Sequence, residues 1–96
     1  MAITNVINGV QAAVDVAAAT AFPVTGPTTI TADGFAIGEF AQVFRLGPNA
    51  AYSAATNKDG YIILSVFPNM ALIDTPGSYK IIKTATVAAA YVGYEA

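Results

Sequence analysis

Apolar and polar positions alternate over short distances for most of this chain. From Thr25 onward, short apolar or alternating runs sit between turn signals: Gly26-Pro27, Asp33-Gly34, Gly38, Gly47-Pro48-Asn49, Asn57-Lys58-Asp59-Gly60, Pro68-Asn69 and Pro76-Gly77. Punctuation recurring at about 8 to 12 residues leaves no room for a long helix and predicts an all-β sandwich or barrel. Thr28-Thr29-Ile30-Thr31 is β-branched throughout and runs into the Asp33-Gly34 turn, which predicts a strand. Glu39 to Leu46 alternates, with Phe40, Gln42, Phe44 and Leu46 on one face and Ala41, Val43 and Arg45 on the other. Three large apolar groups favour the first face as the core face, and a buried Gln42 would then need a partner.

Tyr61 to Phe67 is nearly continuous apolar sequence, as expected of a central strand covered on both sides. It follows Asp59-Gly60, the strongest hairpin signal in the chain. Met70 to Ile73 predicts a short strand closed by Thr75-Pro76-Gly77-Ser78. In the next strand Tyr79 and Ile81 oppose Lys80 and Ile82. Thr86 to Tyr94 predicts the last strand, with Val87, Ala89 and Tyr91 alternating against Ala88, Ala90 and Val92. About seven strands suit an antiparallel two-sheet β-sandwich with an immunoglobulin-like outline. The cysteines and tryptophan of antibody domains are absent, so the likeness is one of architecture alone.

The stretch Val10 to Ala21, "VQAAVDVAAATA", is ambiguous. Val10, Ala13, Val14, Ala17, Ala18 and Ala21 follow a helical template, whereas Val14-Asp15-Val16 alternates as a half-buried strand does. A cleaved signal peptide is a third reading. The N-terminus lacks a basic region, and Asn5, Asn8, Gln11 and Asp15 interrupt any apolar core of a leader, so no signal peptide is expected. Phe22-Pro23 would stop a helix at Ala21. Ala12 to Ala19 is therefore expected to be a small-residue strand, with a helix as the alternative. Met1 to Asn8 carries Ile3, Val6 and Ile7 ahead of Asn8-Gly9 and reads either as an arm that docks on a neighbour or as a short edge strand. The expected organisation is an arm or edge segment over 1–9 and one sandwich domain over 10–96.

Composition bears on what such a domain can do. The chain has 96 residues, no cysteine and no histidine, so disulfides, thiolate metal sites and the commonest general base are excluded. Four basic and six acidic residues give a net charge of −2, with no basic patch to neutralise phosphates, and no nucleic-acid partner is expected. Charged residues are 10% of the chain, against about 25% in an ordinary soluble domain. So few charges suit a subunit whose outer faces are covered by neighbours, in a homo-oligomer or an assembly of many symmetric copies. No apolar run reaches the roughly 18 residues of a membrane-spanning helix, so no membrane partner is expected.

Motifs for catalysis or metal binding are missing. There is no phosphate-binding glycine loop, zinc spacing or nucleophile elbow. Asp33 and Asp59 each precede a glycine and read as turn residues. Asn57 and Asp59 offer only one carboxylate to a calcium ion, a weak site. Ser53, Ser65 and Ser78 have no base to activate them. No enzymatic activity, cofactor or metal is expected. The five tyrosines and five phenylalanines fit a core or an interface better than a sugar-stacking platform. The Thr29/Thr31 and Thr84/Thr86 pairs, without a repeat period, supply strand propensity rather than an ice-binding surface.

From about Thr29 to the C-terminus the chain resembles small structural proteins of tailed bacteriophages. The resemblance rests on "TADGF", on "GEFAQVFRLGPN", and on "DTPGSYKIIKTATVAAAYVGYEA", in which Thr75 to Lys83 looks like the turn and following strand of such proteins. It implies a virion structural role: a capsid decoration or cement protein, made in the host cytoplasm, that binds the major capsid protein on the capsid exterior. On that reading the candidate interface residues are Ile3, Val6, Ile7 and Phe35. The alternatives are a surface-exposed adhesion or glycan-binding module and a tail-tube or fibre subunit.

Overall fold

Alternation on one strand sets the first layer. In Thr28–Asp33 the side chains of Thr28, Ile30 and Ala32 are buried while Thr29 and Thr31 are half-exposed. The computed structural model describes residues 3–96. Its strands are β1 (Thr4–Val10), β2 (Phe22–Val24), β3 (Thr28–Asp33), β4 (Ala41–Leu46), β5 (Tyr52–Ala54), β6 (Thr56–Asn57), β7 (Gly60–Tyr61), β8 (Ile63–Leu64), β9 (Met70–Ile73), β10 (Gly77–Lys83) and β11 (Ala90–Glu95), with no helix among the described residues. One sheet runs β1-β11-β3-β9 and the other β2-β10-β4-β5, with β8 also on β4. The strand pairs within both are antiparallel.

Strands β5 and β8 share one flank of β4. β5 pairs with Phe44 to Leu46, and β8 with Ala41 and Gln42. Between them the Ala55 N–H donates to the Val43 carbonyl at 2.9 Å, and the Val43 N–H donates to the Ile62 carbonyl at 3.0 Å. The two therefore fill a single strand position, interrupted by the β6–β7 hairpin, whose Asn57↔Gly60 pairing matches the Asp59-Gly60 signal. With β5 and β8 counted as one position and the hairpin set aside, the two sheets read 1-8-3-6 and 2-7-4-5. That is the connection order of an eight-stranded jelly roll. The expected antiparallel sandwich is present, and this order refines its immunoglobulin-like outline.

The core lies between the sheets. Ile30, Ala90, Val92 and Ile73 from the first sheet meet Ala41, Val43, Leu64 and Ile81 from the second, all at most 2% exposed. Phe22 stacks on Tyr94 with ring centroids 4.6 Å apart and lies 6.2 Å from the ring of Tyr79, closing the core near β2.

Four expectations are corrected. The inward face of β4 carries Ala41 and Val43, whereas Phe40, Gln42 and Phe44 are half-exposed and Leu46 is exposed. Register explains the inversion. Val43 stands opposite Ile81 and Arg45 opposite Tyr79, and directly opposed residues share a face. The buried bulk comes from β10 and β3, which leaves small residues to fill the inner side of β4.

Tyr61 to Phe67 is not a central strand. It breaks into β7, in the separate β6–β7 hairpin, and β8, at the edge of the second sheet, with Ile62 and Leu64 buried and Tyr61, Ile63, Val66 and Phe67 exposed. A turn then follows, in which the Ser65 N–H donates to the Pro68 carbonyl at 2.8 Å and the Phe67–Pro68 peptide is cis.

Ala12 to Ala19 is neither strand nor helix. Val14 alone pairs with Lys83, by two backbone bonds of 3.0 Å. Asp15 then closes a turn: its carbonyl accepts from Ala18 and Ala19, and its carboxylate accepts from the Ala18 N–H at 2.9 Å. A short polar side chain that bonds its own backbone competes with both regular structures, and the alanines bury too little to hold an extended strand. Of the two readings of the N-terminal segment, residues 4–10 form an edge strand on β11. Met1 and Ala2, which the arm reading includes, lie outside the described residues. The last strand begins at Ala90, four residues later than expected, and leaves 84–89 as a loop.

Candidate docking surface

The connection order brings four segments to one end of the sandwich. β1 ends at Val10 opposite Ala90, and β3 ends at Asp33 opposite Tyr91. β4 begins at Ala41, opposite both Lys83 and Leu64. The segments 11–13, 34–40, 65–69 and 84–89 therefore cap the same end. Glu39 ties two of them together, its carboxylate accepting from the Ala36 N–H at 2.8 Å and from the Val87 N–H at 3.0 Å. Gln11 donates its side-chain amide to the Val87 carbonyl at 3.1 Å, and its own carbonyl accepts from the Thr86 N–H at 2.8 Å. The Thr84 hydroxyl accepts from the Phe40 N–H at 3.0 Å. Ser65 and Val66 border the same small hollow as Gly34 and Phe35.

Large apolar side chains project from this frame. Ile37 is 93% exposed, Phe67 87%, Val87 84% and Val66 55%. Alanines 12, 13, 36, 85, 88 and 89 are exposed among them. The single charged residue in the four segments is Glu39, and both its oxygens already accept backbone hydrogen bonds. Beneath the surface, Lys83 points inward from β10 and donates to the Thr84 carbonyl at 2.9 Å and the Thr86 hydroxyl at 3.4 Å. Burial holds its ammonium below the ordinary lysine pKa of 10.5, and the negative charge of Glu39 partly offsets this. The end is thus largely apolar outside, with Gln11, Glu39, Thr84 and Thr86 engaged within the loops and the exposed Asp33 and Asn69 at the hollow beside Phe35.

The sequence-derived interface residues do not meet on one surface. Ile3 is exposed, beside a hollow on the outer face of the first sheet with Asn5, Thr31 and Tyr91. Val6 is half-buried against the core, and Ile7 is buried opposite Val92. Phe35 is buried as well. Gly34 takes φ +87°, and a Cβ there would collide with the Ala89 carbonyl, so the chain passes tightly under the 84–89 loop just before Phe35 enters the core. Ile7 and Phe35 therefore offer no free surface, which corrects their assignment. Ile37, two residues beyond Phe35, is the exposed large apolar residue of that loop. Ile37, Val66, Phe67 and Val87 escape a reading by periodicity because they fall in turns or in runs that look like strands. Their signal is large apolar residues inside segments punctuated by Gly, Pro and Asn.

Several of the remaining chemical candidates are engaged structurally. The Asn57 side chain accepts from the Asp59 N–H at 2.9 Å and donates to the Leu72 carbonyl at 3.0 Å, fixing the hairpin against β9. Ser78 shares a 2.8 Å hydrogen bond with the Tyr52 hydroxyl, and Lys80 lies 4.7 Å over the Tyr52 ring. Among the described residues no three acidic groups gather to hold a metal, and no helix is long and apolar enough to cross a membrane. No protein family, curated protein or solved structure matches this chain.

Proposed function

We propose that the chain is a non-enzymatic structural subunit of a phage virion, a capsid decoration protein that seats the apolar end of its jelly roll on the major capsid protein. The observation that carries this reading is the set of Ile37, Phe67 and Val87, each at least 84% exposed on one end whose capping segments carry a single charged residue, the hydrogen-bonded Glu39, with the exposed Asp33 at its margin. Burying one such side chain contributes about 1.5–3 kcal/mol. A shell repeats that contact over many symmetric copies. Two further points support the reading: the resemblance from Thr29 onward, and the recurrence of jelly rolls among viral shell proteins, the latter by analogy of fold alone. Lectins also use this fold, but a sugar site needs polar groups converging beside an aromatic ring. In sequence, Phe67 is flanked by the exposed Val66, Pro68 and Asn69, of which only Asn69 has a polar side chain.

The test mixes the purified protein with empty shells of the phage that encodes it. The wild type binds saturably at a fixed copy number. The double variant Ile37→Ser, Phe67→Ser binds at least about 30-fold more weakly, the loss expected of central interface anchors. Both positions are almost fully exposed, so thermal stability stays close to wild type. Equal affinity of the two proteins overturns the proposal.

A further inference from the structure

At the opposite end of the sandwich, Arg45 stands beside a cleft of about 330 Å3, lined also by Ser53, Thr56, Thr75 and Tyr79. We propose that this cleft is a carboxylate-binding site with the Arg45 guanidinium as its anchor. Four observations converge on it.

The guanidinium is held in place: Nη2 donates to the Pro76 carbonyl at 2.9 Å, and the group lies so close over Gly77 that a Cβ there would come within 2.9 Å of Nε. The Pro76 bond uses one of five N–H donors, so donors on the two Nη groups remain for a ligand, and Nε is buried without a hydrogen-bond partner. The lining contains no acidic residue, so Arg45 is its one charged group, and the nearby Asp74 carboxylate is engaged by the Thr75 hydroxyl. Finally, the Tyr79 hydroxyl is committed to the Thr75 carbonyl at 2.6 Å and the Thr75 hydroxyl to the Asp74 carboxylate at 3.2 Å, which leaves the exposed Ser53 and Thr56 hydroxyls to donate alongside the guanidinium. A planar fork with flanking hydroxyls matches the two acceptor oxygens of a carboxylate. Ligands carrying that group are free small carboxylates and the acidic side chains of a neighbouring protein.

Arg45 is the single arginine of the chain, so its Nε–H gives one unambiguous NMR resonance. The full-length protein is titrated with sodium acetate at constant ionic strength, with sodium chloride as the reference. The expected result is a saturable shift of that resonance, half-complete on the order of millimolar acetate, with the Ser53 and Thr56 amides moving at the same midpoint. Arg45→Lys keeps the charge but loses the fork, and should weaken the amide response tenfold or more. A linear drift in acetate, an equal response to chloride, or an unchanged midpoint in Arg45→Lys overturns the proposal. A second titration uses a blocked peptide with one glutamate. Binding tenfold tighter than acetate assigns the site to an acidic side chain of a protein neighbour, and equal or weaker binding assigns it to a free carboxylate. No shell enters these titrations, so their failure is separate from failure of the docking proposal.

Discussion

Lys83 is the residue whose position carries the clearest energetic consequence. It occupies an inward position of β10 in line with Tyr79 and Ile81, where an aliphatic side chain would be ordinary. Its ammonium instead ties down the loop that presents Val87, through Thr84 and Thr86. Burial lowers its pKa from 10.5, with Glu39 opposing the shift. The unfolded chain therefore binds this proton more tightly, and the stability Lys83 contributes rises as pH climbs through the lowered folded value toward 10.5. Lys83→Met removes that dependence, whereas tyrosine ionisation is common to both proteins. The melting temperature of Lys83→Met relative to wild type is thus expected to fall as pH rises from neutral toward 10.5, the drop setting in once pH passes the lowered folded value. A constant difference across that range would mean that the ammonium is fully solvated. In the sequence, Lys83 shows only as the end of an alternating run, because nothing local says that the hydroxyl and carbonyl it bonds will close over it.

Among the elements, those with one possible partner face were legible and those with two were not. β3 forms where its β-branched run predicts a strand, and in β10 burial follows the expected faces from Tyr79 to Ile82. The Asp59-Gly60 hairpin forms where its turn chemistry places it. β4 fails because its two faces differ in bulk in the wrong direction: large side chains point outward, and Ala41 and Val43 fill the core. Face choice there depends on register with β10, a long-range property. Substitution separates the two assignments. Phe44→Ala is expected to cost less than about 2 kcal/mol by chemical denaturation, against about 3–5 kcal/mol for a phenylalanine truncated in a core. A cost in the upper range would return Phe44 to the interior. The tract from Ala12 to Ala19 is illegible for another reason. Its alanines supply too little burial to favour either regular structure, so one aspartate turn decides the outcome.

Across the whole molecule, the sandwich class follows from turn spacing, but the jelly-roll order depends on which strands neighbour one another, and periodicity carries none of that. The order matters for function because it collects the 34–40, 65–69 and 84–89 loops at one end and leaves Arg45 at the other. Among the four interface residues the sequence suggests, Phe35 lies in the right loop but faces inward, and Ile7 belongs to the core. The exposed anchors are visible only once the loops are assembled. The sparse charge of the chain agrees with a molecule that spends its working life covered at that apolar end. The most direct measurement is amide hydrogen exchange of the protein free and bound to the empty phage shells on which the proposed function places it. Protection on binding concentrated in 34–40, 65–69 and 84–89, with the 47–51 and 74–76 turns unchanged, is the expected result. Protection confined to those turns, or to the outer face of either sheet, would contradict docking through the apolar end.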